Sequence, residues 1–187
     1  GTALFSQAQV PTKPLAWEDV IGWKRITAQT ISDNGKWVAC QMEPWRGDAS
    51  VTLYNDLGAE KASFASAEGA SFSASSNFML VTLKPSVAVV DSLKLKKTKE
   101  DKMPMNKLVI YHLVSDKKEV IDSVRTFKLS ESADWIAYQR GSKADSALYV
   151  RSLDGSKMDS LPAVTDFGFA KKSHVLYFVK SESDKND

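Results

Sequence analysis

A large apolar residue, a small one, four mostly polar residues and then two apolar residues in a row recur four times along the chain. The copies are ISDNGKWVA at 31–39, FSASSNFML at 72–80, LSESADWIA at 129–137 and FAKKSHVLY at 169–177. Each reads as a β-hairpin, with an apolar strand entering and leaving a short polar turn. Asn34-Gly35 supplies residues that tolerate positive φ, and Ser-Ser-Asn and Ser-Ala-Asp hold the same place in the second and third copies. Trp37, Phe78, Trp135 and Val175 share one position of the pattern. The three aromatics are expected to be buried between neighbouring units.

The copies start 41, 57 and 40 residues apart. A period of about 40–45 residues built from short strands is the sequence signature of a β-propeller blade, whereas helical repeats of that length need amphipathic helices. Between the copies lie SVTLYNDLG, KLVIYHLVSDKKE and SALYVRSLDGSK, each a β-rich run ending in turn residues. Each unit therefore has four strands. The expected fold is all-β, with blades at about 24–66, 67–122, 123–163 and 164–187. The last stops after two strands, so about three and a half blades are present. The long middle interval is assigned to a lysine-rich insertion at about 84–106, in which SVAVVDSL extends the hairpin as long strands and Lys94, Lys96, Lys97, Lys99 and Lys102 make a solvated run.

Ahead of the first blade, residues 1–14 read as a signal remnant or an extended arm. The segment TALFSQAQ has the apolar stretch and small residues of an export signal without its basic start, which places the protein outside the cytoplasm, in the periplasm or cell envelope. Residues 17–21 are expected to form one helical turn before Trp23 enters the first strand, and the lead-in is expected to pack its tryptophans on the first blade.

With 43% hydrophobic and 26% charged residues over 187 positions, the composition is that of an ordinary globular chain. The net charge of +2 is too small for a nucleic-acid surface. Cys40, in the apolar run WVACQM, is expected to be a buried structural thiol, and with one cysteine there is no internal disulfide. No carboxylate pair, metal-ligand spacing or phosphate-binding glycine loop is present. The string Gly69-Ala70-Ser71-Phe72-Ser73 lacks the second glycine of a nucleophile elbow and falls on a strand. His112 and His174 are read as structural or solvent-facing. The sequence thus offers no catalytic residue, no metal ligand and no cofactor site, and it does not identify substrate-binding residues.

The repeated hairpins, the lead-in Trp23 to Ile26, DNGKWVA, KEDKMPMNKLVIYHL and VTDFGFAKKSHVLYFV together resemble the amino-terminal β-propeller of a bacterial, Bacteroidetes-type, prolyl oligopeptidase-family (S9) serine peptidase. The likeness runs from about Leu15 onward. It implies a non-catalytic propeller portion that gates and selects peptide substrates for a carboxy-terminal α/β-hydrolase domain absent from this chain. That domain and peptide substrates are the implied partners, with a homo-oligomer through the open blade edge as a further one. The alternative is a self-sufficient TolB-like binding or scaffold propeller of the cell envelope.

Overall fold

The computed structural model describes residues 14, 16–142 and 144–181. After a short helix α1 (Trp17–Ile21), fourteen strands follow. Strands β1 (Lys24–Ile31), β2 (Trp37–Pro44), β3 (Ser50–Asn55) and β4 (Glu60–Ala65) form one antiparallel sheet in chain order. A second sheet has β5 (Ala67–Phe72), β6 (Phe78–Leu83), β7 (Lys107–His112) and β8 (Lys118–Ile121), and a third has β9 (Val124–Leu129), β10 (Trp135–Arg140), β11 (Leu148–Ser152) and β12 (Met158–Leu161). The chain closes on the two-stranded pair β13 (Val164–Phe169) and β14 (Leu176–Lys180). β5 lies against β1, β2 and β3 of the preceding sheet, and β13 against β9. This is an arc of about three and a half β-propeller blades, as the repeat period predicts.

Stacking explains why the middle strands are apolar on both faces. In β6, Phe78, Met79, Leu80 and Val81 are all buried, because alternate residues enter different interfaces. Met79 and Val81 join Ala39, Leu53 and Phe64 of the first blade, whereas Phe78 and Leu80 join Ile136, Tyr138 and Leu153 of the third. A third, smaller cluster places Ala137 and Leu148 against Val164 and Phe167.

The aromatic repeat position follows the same rule, with one correction. Phe78 is 7% exposed, but Trp37 and Trp135 are only half-buried. Trp135 shares a face with Ala137, on the side of the fourth blade, but belongs to none of the three buried clusters. Val175 is 59% exposed, because no further blade stands beyond it among the described residues.

The insertion is also corrected. Residues 87–95 form helix α2 (Val87–Leu95), followed by a 3-10 turn (Glu100–Lys102), in place of two long strands. Ser86 caps the start, its hydroxyl accepting the Val89 N–H. At the other end the N–H groups of Lys97 and Thr98 return to the carbonyls of Lys94 and Leu93, with Lys97 at φ 54°. That is a Schellman close, in which a lysine occupies the left-handed position that glycine adopts at least cost.

Candidate functional site

The hairpin turns gather at one end of the arc. The second residue of three copies, Ser32, Ser73 and Ser130, is buried, and its backbone N–H donates to the carbonyl of Trp37, Phe78 or Trp135. The Ser32 and Ser73 hydroxyls also accept the N–H of Trp37 and Phe78, at 3.1 and 3.2 Å. A bulky side chain there would displace these bonds, which explains the small residue. Gly35 sits at φ 70°, and Ser76 holds the equivalent turn position at φ 58°.

The fourth residue of each of the first three copies reaches into the next blade. The Asn34 N–H donates to Ser76 Oγ at 3.2 Å. The Ser75 N–H and hydroxyl donate to the two carboxylate oxygens of Asp134, at 3.2 and 2.5 Å. The Ser132 hydroxyl donates to the Ser173 carbonyl at 2.6 Å. Three interfaces are therefore tied by one repeat position, a regularity visible in the aligned copies but not recognisable as a function until the blades are stacked.

The opposite end carries the connections between blades and the longer loops. Ser66, Ser123 and Ala163 precede the first strands of blades two, three and four, all with φ between 50° and 58°. The residues that follow, Ala67, Val124 and Val164, are buried and donate their N–H groups back to Ala49, Asn106 and Ser146 of the preceding blade. A left-handed alanine is strained by its Cβ, so Ala163→Gly is expected to stabilise the chain by about 0.5–1 kcal/mol. Urea denaturation reads this; an unchanged or lower midpoint would show that the conformation is not enforced.

Glutamines four residues after the aromatic position add further ties. Gln41 Oε1 accepts the Gly69 N–H at 2.9 Å, at a bulge between Glu68 and Ala70 where glycine adopts φ 63°. Gln139, which is buried, donates to the Val164 carbonyl at 2.7 Å and accepts from Arg125 at 2.7 Å. Asp48 accepts the Ser66 hydroxyl at 3.0 Å and the Val87 N–H at 2.7 Å, so the first blade holds the start of α2.

Three hollows open at this end, the smallest, about 250 Å³, between Thr82, Asn106 and Val124 to Phe127. Another, about 370 Å³, lies between α2 and the blade, with Leu83, Pro85, Val89, Pro104 and Met105 in its wall. The third, about 630 Å³, is lined by Trp17, Trp23 and Trp45 with Lys24, Arg25 and Glu43. The tryptophans of the lead-in, expected to pack on the first blade, are instead largely exposed, and Trp45 is 80% exposed. Glu43 accepts from Gln41, Thr27 and Arg25. These bonds, that from Gln41 foremost, hold its carboxyl below the usual range.

The remaining sequence candidates have structural settings. His112 Nδ1 accepts the N–H groups of Val114 and Ser115, and its ring meets Phe78 edge-on at 4.9 Å. His174 is exposed on the last turn. Cys40 is a free thiol, half-buried rather than buried, on the uncovered side of the first blade. Gly69 to Phe72 lie in β5, far in conformation from a strand-to-helix elbow. Among the described residues no group of histidine, cysteine or carboxylates is arranged to hold a metal ion. Arg151, the most buried charge, is held by both oxygens of Glu119 at 2.5 and 2.8 Å, which raises its pKa. It joins blades two and three rather than facing a hollow.

The sequence matches no protein-family model and no curated protein. Its fold is shared with solved propellers. A prolyl endopeptidase structure, from work on inter-domain dynamics in catalysis and specificity, superposes over 86% of this chain and 29% of its own, with TM-score 0.54 and 12% identity. A eukaryotic initiation factor covers 74% of this chain and 33% of its own (TM-score 0.47, 10% identity), and a putative TolB from Agrobacterium tumefaciens covers 85% and 55% (TM-score 0.40, 12% identity). The chain spans about a third of the length of the first two. The fold and its loops thus define a β-propeller portion. At these identities the likeness concerns architecture alone.

Proposed function

We propose that this chain is the non-catalytic propeller portion of an exported prolyl oligopeptidase- or dipeptidyl-peptidase-like serine peptidase, gating and selecting peptides for an α/β-hydrolase domain. The observation that carries the reading is the blade arc itself, shared over most of its length with a prolyl endopeptidase, together with the family resemblance of the lead-in and insertion. The chemistry is assigned to the hydrolase domain, with its nucleophile, base and oxyanion donors. Export rests on residues 1–10, which lie outside the described residues.

The reading also supplies a partner for β14. Among the described residues this strand pairs only with β13, and Val175, Tyr177 and Val179 are more than half exposed. An unpaired apolar edge invites strand addition, here by the remainder of the parent chain or by a second copy.

A fluorophosphonate probe tests the proposal. The isolated 187-residue chain is expected to take no label and to hydrolyse no proline- or alanine-containing reporter above background. The native polypeptide carrying this sequence, captured with an antibody against it, is expected to take the label and cleave the reporters. Labelling of the isolated chain, or a native polypeptide without serine-hydrolase label, would overturn it.

A further inference from the structure

Helix α2 has no buried residue, yet it is fixed at both ends. Asp48 and Ser86 cap its start, and the Schellman close fixes its finish. A nine-residue helix exposed on this scale does not hold itself by propensity; the chain spends three devices on positioning it. With about 100° between successive residues, Val87, Ala88, Asp91 and Leu95 share one outward sector, while Val90 and Leu93 turn towards the blade and are half-buried. Leu95 is 85% exposed.

Around this stripe stand Lys94, Lys96, Lys97, Lys99 and Lys102, all exposed and none in an ion pair among the described residues. Only Asp91, Glu100 and Asp101 oppose them within the segment, so the patch is net positive. Lys97 occupies a left-handed backbone position where glycine would cost less.

We propose that α2 and the following lysine segment form a docking surface for an acidic protein face with an apolar notch that receives Leu95. Charge complementarity selects the partner. An anionic bilayer would meet Asp91 in the middle of the apolar stripe and Glu100 and Asp101 beside it, and the helix is too weakly segregated for an interfacial anchor. A protein can set a donor opposite Asp91 and carboxylates opposite the lysines. The proposal is independent of whether the parent protein is a peptidase.

The test uses a fluorescein-labelled peptide with leucines at helical spacing and glutamates between, read by anisotropy against the full chain. Sedimentation with phosphatidylserine–phosphatidylcholine vesicles runs in parallel. Binding to the peptide is expected, weakening with added salt. It should fall about tenfold or more in Leu95→Asp and in the combined Lys94→Glu, Lys96→Glu, Lys97→Glu chain. These sites are exposed, so circular dichroism should be unchanged; Lys99→Glu with Lys102→Glu, outside the helix, gives a second set. No peptide binding at low salt, equal binding by the variants, or vesicle binding lost in the same variants would overturn the proposal, the last by assigning the surface to lipid.

Discussion

Phe78→Ala is expected to cost about 3–5 kcal/mol, and Trp135→Ala, at the same repeat position, about half as much. Phe78 is enclosed between blades two and three by Leu80, Ile110 and Ile136 and touches the His112 ring edge-on. Its removal leaves a cavity that two rigid sheets cannot close. Trp135 is only half-buried and lies outside the buried clusters, so truncation removes less buried area and leaves no enclosed void. Urea unfolding of the three chains measures both. A larger loss at Trp135 than at Phe78 would mean that the third interface, and not the second, is the best-packed part of the arc.

The second large effect is expected at the charged pair between the same blades. Arg151 comes from β11 and has only 8% of its side chain exposed, while half of Glu119, on β8, faces solvent. Glu119→Gln keeps the shape but leaves a buried guanidinium without its anion, and should cost about 1.5–3 kcal/mol, kept modest by the solvent on the glutamate side. Adding Arg151→Met should recover part of the loss, because the unpaired charge is removed with its partner. If the double variant is the sum of the two single ones, the pair is not coupled.

The hairpin pattern made the period, the strand content and the half-length fourth blade legible, because alternation and turn chemistry are local properties. Helix α2 was not legible. Its valines, Val87, Val89 and Val90, favour strands, and what overrides them includes the Asp48 carboxylate, contributed from 39 residues away by another blade. The half-burial of Trp37 and Trp135 was equally hidden, since it depends on how neighbouring blades stack, which a local pattern does not carry. Of the ties between blades, the serines and asparagine were in view as turn formers, but Asn34, Ser75 and Ser132 acquire partners only when the sheets stack. The exposed lead-in tryptophans follow the same logic: an aromatic-rich segment predicts burial, and the hollow they line depends on Pro44 and Trp45 at the far end of β2.

The turn-to-turn bonds have a hereditary consequence. Each inner copy of the hairpin carries an acceptor for the blade before it and a donor for the blade after it, as Ser76 and Ser75 do within five residues of sequence. A tandem duplication of such a unit would bring both halves of its own connector, so a lengthened array needs no new interface to be invented. Divergence can then proceed in the outer loops, where blade two carries α2, while the clasp that joins neighbours is copied along with the blade.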